Sequence, residues 1–191
     1  MSEAYRCVDR QVHTRQPLQH VLTGIQFQLR YCPELAKKPK GHDDNVQKSG
    51  KKIDPFDNPP EDLLVTNVPA TESSHIIVLN KYPIIANHFI LATKHIKQQT
   101  HKLEEDDLAI AYKCIKEWEG QTEDGQARRL FAFFNSGEHS GASQPHRHLQ
   151  FLPVEDMKGG EAGEGWTLLA DTVWTSKDAD AGMILQLIFI P

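Results

Sequence analysis

Apolar positions along the chain follow two periodicities. Between about Gln16 and Tyr31, Leu18, Leu22, Ile25 and Leu29 recur at helical spacing and predict an N-terminal amphipathic helix, although Gly24 lies within it. Short runs rich in β-branched and aromatic residues predict strands at Leu63–Val68, His75–Leu79, His88–Ala92, Leu130–Phe134 and His146–Leu152. Between the third and fourth of these, Leu108, Tyr112, Ile115 and Trp118 share one face of a helix predicted over Leu103–Trp118. Glu104, Glu105, Asp106 and Asp107 crowd its first turn, where the macrodipole favours anions, and Gly120 stops it. Strands, then a helix, then more strands predict an α+β fold, a mixed sheet with helical cover.

The segments outside these elements have their own composition. Pro33 to Pro60 holds five of the eleven prolines and six lysines, and reads as a loop. From Glu155 to Gly182, five glycines and seven acids face only Lys158 and Lys177, which predicts a mostly exposed connector. Within it Trp166, Leu168, Leu169, Val173 and Trp174 are the residues able to dock. Met183 to Ile190 is strongly apolar, which is unusual unless it is paired, so it is expected either to add to the sheet or to lack its normal partner. The organisation expected is one domain over residues 1–154 and a connector with an apolar terminal segment over 155–191.

Composition narrows the function classes. A chain of 191 residues, 39% hydrophobic, has room for one domain with a core. Its net charge of −5 argues against nucleic-acid binding by broad phosphate neutralisation, so any phosphate chemistry must be local. No apolar run approaches the roughly 20 residues that span a bilayer, and the first residues lack the pattern of a secretory signal. Cys7, Cys32 and Cys114, odd in number and widely spaced, fit reduced thiols in the cytoplasm, with the nucleus as the other compartment compatible with them. The ten histidines are the unusual feature.

Their placement concentrates the chemistry between Phe131 and Pro153. An apolar strand ends at Phe134, a loop with Gly137 and Gly141 follows, and a second strand begins after Pro145. A period of two puts His146, His148 and Gln150 on one face of that strand, with Arg147, Leu149 and Phe151 on the other. A neutral imidazole is a good nucleophile toward phosphorus, and a neighbouring amide N–H can bond a phosphate oxygen. The glycine-containing loop can turn backbone N–H groups inward as an anion nest, assisted by Ser136 and Ser143. The chemistry expected is phosphoryl or nucleotidyl transfer through a histidine.

Simpler readings of the same residues are weaker. Alternate histidines on a strand are compatible with a plain polar face, but that explains neither Gln150 nor the Gly-Ala-Ser-Gln loop. A zinc site from His139, His146 and His148 lacks a fourth ligand and any metal-type spacing. A phosphate-binding P-loop ending at Lys51 and Lys52 would need glycine where Asn45 stands. His75, His88, His95 and His101 are scattered and read as structural or exposed. Cys114 reads as a small core residue of the helix.

The segment resembles the histidine-triad (HIT) superfamily, and within it the fungal diadenosine tetraphosphate phosphorylases, which carry H-x-H-x-Q where HIT hydrolases carry a third histidine. Here that pattern is His146, His148 and Gln150. Asn-Ser-Gly at 135–137, Lys-Lys-Pro-Lys-Gly at 37–41, Asp-Pro-Phe at 54–56 and Val-Leu-Asn-Lys-Tyr-Pro at 78–83 also resemble that branch in the right order, so the similarity covers roughly Leu18 to Val154.

The resemblance implies a HIT-like, largely antiparallel sheet with helices packed on it. It implies that His148 is the nucleophile that becomes adenylylated and that Gln150 contacts the same phosphate. Asn135, Gly141, Ala142, Ser143 and Gln144 are implied nucleotide and polyphosphate contacts; Lys38, Asn80 and Lys81 are implied further contacts, and His146 a supporting residue. The implied reaction is reversible phosphorolysis of diadenosine tetraphosphate by inorganic phosphate to ADP and ATP. The implied partners are dinucleoside polyphosphates, ATP, ADP and phosphate, with no nucleic acid and no membrane. No metal ligand is implied in the histidine row and no cofactor is required, Mg²⁺ entering only with the polyphosphate. A HIT-type hydrolase of dinucleotides or phosphoramidates is the nearest alternative. The second is a nucleotide-binding protein with little turnover, because family members continue into a C-terminal part with further nucleotide contacts.

Overall fold

The computed structural model describes residues 13–14, 30–31, 54–121, 125, 127–137, 139–158 and 167–171. Two short strands, β1 (His13–Thr14) and β2 (Arg30–Tyr31), pair antiparallel. Arg30 and Tyr31 are thus extended where the leucine spacing predicts the end of a helix. Pairing with β1 supplies their backbone partners, and Pro33 disfavours helical backbone at the residue before it. The rest of the predicted N-terminal helix lies outside the described residues, as do Lys38 and most of the lysine-rich loop.

The main sheet has five antiparallel strands in the order β3-β4-β5-β9-β8. These are β3 (Leu64–Val68), β4 (His75–Leu79), β5 (Phe89–Thr93), β8 (Leu130–Phe133) and β9 (His148–Pro153). The predicted strand beginning at His146 starts instead at His148; His146 makes only an isolated bridge with Gln98, because Pro145 has no N–H with which to begin a ladder. A small hairpin, β6 (Gly120–Gln121) with β7 (Ala127–Arg128), stands apart from this sheet.

Register divides the sheet into two faces. Ile77 lies opposite Leu91 and Leu91 opposite Leu149, while Phe89 lies opposite Phe151, so these side chains share one face. The helix α1 (Glu105–Trp118) covers it, packing Ala111, Ile110, Cys114, Ile115 and Trp118 against Leu91, Leu149 and Phe151. Phe89 and Phe151 stack at 4.8 Å. On the other face Ile76, Val78 and Ala92 cluster with Phe56, which arrives from the loop before β3.

The helix is rotated from the orientation its apolar pattern predicts. Leu108 and Tyr112 are 54% and 64% exposed, whereas Asp107 is fully buried. Asp107 accepts hydrogen bonds from the Glu104 backbone N–H at 2.7 Å and the Arg147 guanidinium at 2.9 Å, and pairs with the His75 ring at 2.9 Å. Three partners for one carboxylate fix which side of α1 faces the sheet. Desolvation alone would raise the Asp107 pKa, but the Glu104 N–H, His75 and Arg147 outweigh it and hold the group below its ordinary value.

After β9 the chain turns into α2 (Val154–Met157), whose Val154 is buried. Glu155 of α2 receives the Trp118 indole N–H at 2.9 Å. Leu168 is buried, and Asp171 pairs with Arg129. Part of the predicted connector is therefore docked. No helix among the described residues is long and apolar enough to cross a membrane.

Candidate active site

His148 opens β9 opposite Ala92, and Gln150 follows opposite Ile90 and Phe133, so His148 and Gln150 project on the sheet face away from α1. His148 is 2% exposed, and its backbone is held on both sides by one buried side chain, Gln99. The His148 N–H donates to Gln99 Oε1 at 2.7 Å; Gln99 Nε2 donates to the His148 carbonyl at 3.1 Å and to the Asn135 carbonyl at 2.7 Å. Gln99 thereby ties the strand of His148 to the start of the loop after β8.

The tautomer of His148 follows from its neighbour. Nδ1 lies 2.7 Å from the His146 carbonyl oxygen, which can only accept. Nδ1 therefore carries the proton, and Nε2 keeps its lone pair, with no partner among the described residues. Burial pushes the His148 pKa below the ordinary imidazole value, against the raising effect of its bond to the His146 carbonyl. A neutral ring with an unprotonated Nε2 is the form that attacks an electrophile.

His146 is 1% exposed and occupied at both ring nitrogens: Nδ1 lies 2.7 Å from Asp54 Oδ2, and Nε2 lies 2.9 Å from Thr93 Oγ1. Phe56 sits against both imidazoles, edge-on to His146 at 5.6 Å and tilted over His148 at 5.2 Å. Between them, Arg147 points the other way and binds Glu104 at 2.8 Å and Asp107 at 2.9 Å. Among the described residues no group of three or more metal-ligating side chains converges.

The loop before β9 turns at Gly137 (φ 97°) and Gly141 (φ 74°), a region of backbone space that favours glycine. Ser140 closes it, its hydroxyl donating to the Gly137 carbonyl at 2.8 Å, and the Gln99 N–H donates to the Pro145 carbonyl at 2.8 Å. Gly141 and Ser143 are exposed, Ala142 and Gln144 half-buried. Among the described residues the backbone N–H groups of these four have no acceptor. Asn135 is half-buried at the loop's start.

Asn80 and Lys81 stand further off. Ile76 is the residue of β4 level with Ala92 and His148, so Asn80 lies four residues beyond that level, about 13 Å along the strand direction, and two strands across. The Asn80 side chain serves a turn: Oδ1 accepts the Tyr82 N–H at 3.0 Å and Nδ2 lies 2.9 Å from His88 Nδ1. Lys81 is exposed, its ammonium 5.7 Å from the Tyr82 ring centre. Neither touches the histidine pair; only an elongated ligand would meet both places.

Asp54, Phe56, Thr93 and Gln99 were not among the site residues expected from sequence. Only the Asp-Pro-Phe run carried a signal, as part of the resemblance. An apolar cavity of about 380 Å³, lined by Ile77, Leu79, Phe89, Cys114 and Trp118 among others, opens on the α1 face and is separate from this site.

Comparison with known proteins places the chain in a family. Residues 3–162 match the family described as the Ap4A phosphorylase N-terminal domain. The chain is 36% identical over 143 residues to diadenosine 5',5'''-P1,P4-tetraphosphate phosphorylase 2 of Saccharomyces cerevisiae, a match covering 71% of this chain and 43% of the relative. It is 31% identical over 138 residues to Protein APA1 of the same yeast, covering 70% and 40%. The fold matches the crystal structure of yeast Ap4A phosphorylase Apa2 in complex with Ap4A with a TM-score of 0.64 and 28% identity, over 87% of this chain and 50% of that one. The AMP complex of Apa2 gives 0.62 and 27%, over 86% and 48%. The chain therefore spans half or less of the length of these relatives. On the extent of the family match, which includes the histidine strand, this chain belongs to the Ap4A phosphorylase N-terminal domain family.

Proposed function

We propose that this chain carries the nucleophile of a dinucleoside polyphosphate phosphorylase. His148 Nε2 attacks the α-phosphorus of diadenosine tetraphosphate; the P–O bond to the leaving ATP breaks, and AMP remains bonded to the histidine. Inorganic phosphate then attacks the same phosphorus, the P–N bond breaks, and ADP leaves. The observation that carries this reading is the buried neutral imidazole, whose Nδ1 is held by the His146 carbonyl at 2.7 Å while Nε2 keeps its lone pair. Family membership supports the substrate class: one yeast relative is named a diadenosine tetraphosphate phosphorylase, and yeast Apa2, named an Ap4A phosphorylase, was crystallised with Ap4A and with AMP.

The other residues take roles that their positions suit. Gln150, on the same sheet face as His148, donates amide N–H bonds to the transferred phosphate. The N–H groups of Gly141, Ala142, Ser143 and Gln144, without an acceptor among the described residues, meet the polyphosphate as an anion nest. Asn135, tied to His148 through Gln99, lines the same end. Asn80 and Lys81 contact a remote part of the elongated substrate, with Lys38 as a further contact. Any Mg²⁺ arrives bound to the polyphosphate, as part of the substrate.

The test is incubation with diadenosine tetraphosphate with and without phosphate, followed by nucleotide analysis and mass spectrometry of the protein. ATP and ADP released only when phosphate is present, with AMP recovered on His148, is the expected result. AMP and ATP appearing regardless of phosphate would identify a hydrolase and sink the proposal. Labelled His148 that accumulates and that phosphate does not discharge would point instead to nucleotide binding with little turnover.

A further inference from the structure

We infer that Asp54 is a positioning residue for the nucleophile, acting through the His146 ring and backbone. The inference rests on the proposed adenylylation of His148 and extends it to a residue outside the histidine row.

His146 has no chemical capacity left over for the reaction. It is 1% exposed, with Nδ1 2.7 Å from Asp54 Oδ2 and Nε2 2.9 Å from Thr93 Oγ1. Its carbonyl oxygen is what reaches the nucleophile, accepting the His148 Nδ1–H at 2.7 Å. That single contact decides which nitrogen of His148 keeps its lone pair. The Arg147 N–H of the same peptide unit donates to the Lys97 carbonyl at 2.7 Å, so the backbone also aims that carbonyl, and fixing the His146 ring adds to that hold.

Asp54 is built for that task. Its Oδ1 accepts the Phe56 N–H at 2.9 Å while Oδ2 faces His146, so one carboxylate uses both oxygens as acceptors. Pro55 between them has a fixed φ, which stiffens the turn. Phe56 then lies against His146 and His148 at 5.6 and 5.2 Å. The Asp-Pro-Phe turn thus grips the two histidines from a segment 92 residues away in sequence. A carboxamide cannot copy this arrangement, because it presents one acceptor where two donors converge. Asp54→Asn either breaks the bond to Phe56 N–H or forces His146 into the opposite tautomer.

The experiment compares the full chain with its Asp54→Asn and Thr93→Val variants. The first single-turnover readout is the rate of AMP transfer to the protein from saturating diadenosine tetraphosphate, together with the half-saturating concentration. The second is the ¹⁵N spectrum of the imidazoles without nucleotide, with His146 and His148 assigned by substitution. Asp54→Asn is expected to slow AMP transfer about tenfold to a hundredfold, the range typical of lost orienting partners, with little change in half-saturation. The His148 signals should change from one Nδ1–H tautomer to a mixture. Thr93→Val, which frees the other ring nitrogen without altering shape, should shift both readouts in the same direction by less, and it carries the test if Asp54→Asn does not fold. Transfer within about twofold of wild type, or an unchanged His148 tautomer in the folded variants, would overturn the inference. Absence of label on the wild-type chain counts against the adenylylation reading alone, since the tautomer measurement needs no turnover.

Discussion

The strand His148–Pro153 separates two faces that treat burial in opposite ways. On the α1 face, Leu149 and Phe151 sit in a packed apolar layer, and the neighbouring Arg147 is neutralised by Glu104 and Asp107. On the opposite face, His148 is equally buried, at 2%, yet its Nε2 has no partner among the described residues. Burial on the first side is set against packing and ion pairing, although one buried guanidinium nitrogen, Arg147 Nε, has no partner among the described residues, and the result is stability. On the second side burial disfavours the charged imidazole, and the lone pair of Nε2 stays available. Adjacent residues on one strand thus divide the labour, because a β-strand sends successive side chains to opposite faces.

The sharpest break of this comparison is His148→Asn. It should leave the thermal transition close to wild type and lower AMP labelling by about a thousandfold or more, as loss of a nucleophile does; equal labelling of both proteins would refute the assignment. Arg147→Met should do the reverse. It leaves Asp107 buried without its guanidinium and is expected to cost about 3–5 kcal/mol of stability, read as a denaturation midpoint, while the folded fraction still accepts AMP on His148.

Acidity offers a third test. Because burial lowers the His148 pKa, the neutral form should persist below the ordinary value of 6.5. The labelling rate should therefore stay level as pH falls through 6.5 and decline only at lower pH, by about tenfold per unit. A midpoint at or above the ordinary value would contradict the desolvated geometry. Gln99→Leu acts on the seam between the faces: it strips a buried side chain from the His148 N–H and carbonyl and from the Asn135 carbonyl, for an expected loss of about 1–3 kcal/mol together with slower labelling. The smallest effect belongs to the outward side of α1. Leu108→Gln or Tyr112→Ser should change stability by no more than about 0.5 kcal/mol, since both positions are over half exposed.

How much of this was legible in the sequence differs by element. The five sheet strands were, because β-branched and aromatic runs bounded by turn residues need no distant information to be recognised. His148 and Gln150 on one face followed from a period of two alone. The outward turn of Leu108 and Tyr112 did not, because the helix is oriented by Asp107, whose partners His75 and Arg147 are 32 and 40 residues away in sequence. An apolar stripe is a weak guide where a buried carboxylate with three partners competes with it. Gln99, Thr93, Phe56 and Asp54 escaped for the same reason: each is an ordinary residue until a distant segment folds against it.

The sequence by itself determined that His148 and Gln150 share one face of a strand and that glycine turns precede them, since these depend on local spacing. Only the tertiary structure decided that β9 lies between β5 and β8, that His148 is buried, and that Asp54 and Gln99 hold the two histidines in place. The physical reason is that a protonation state and a ring orientation are set by neighbours within hydrogen-bonding distance. In this fold those neighbours come from up to 92 residues away.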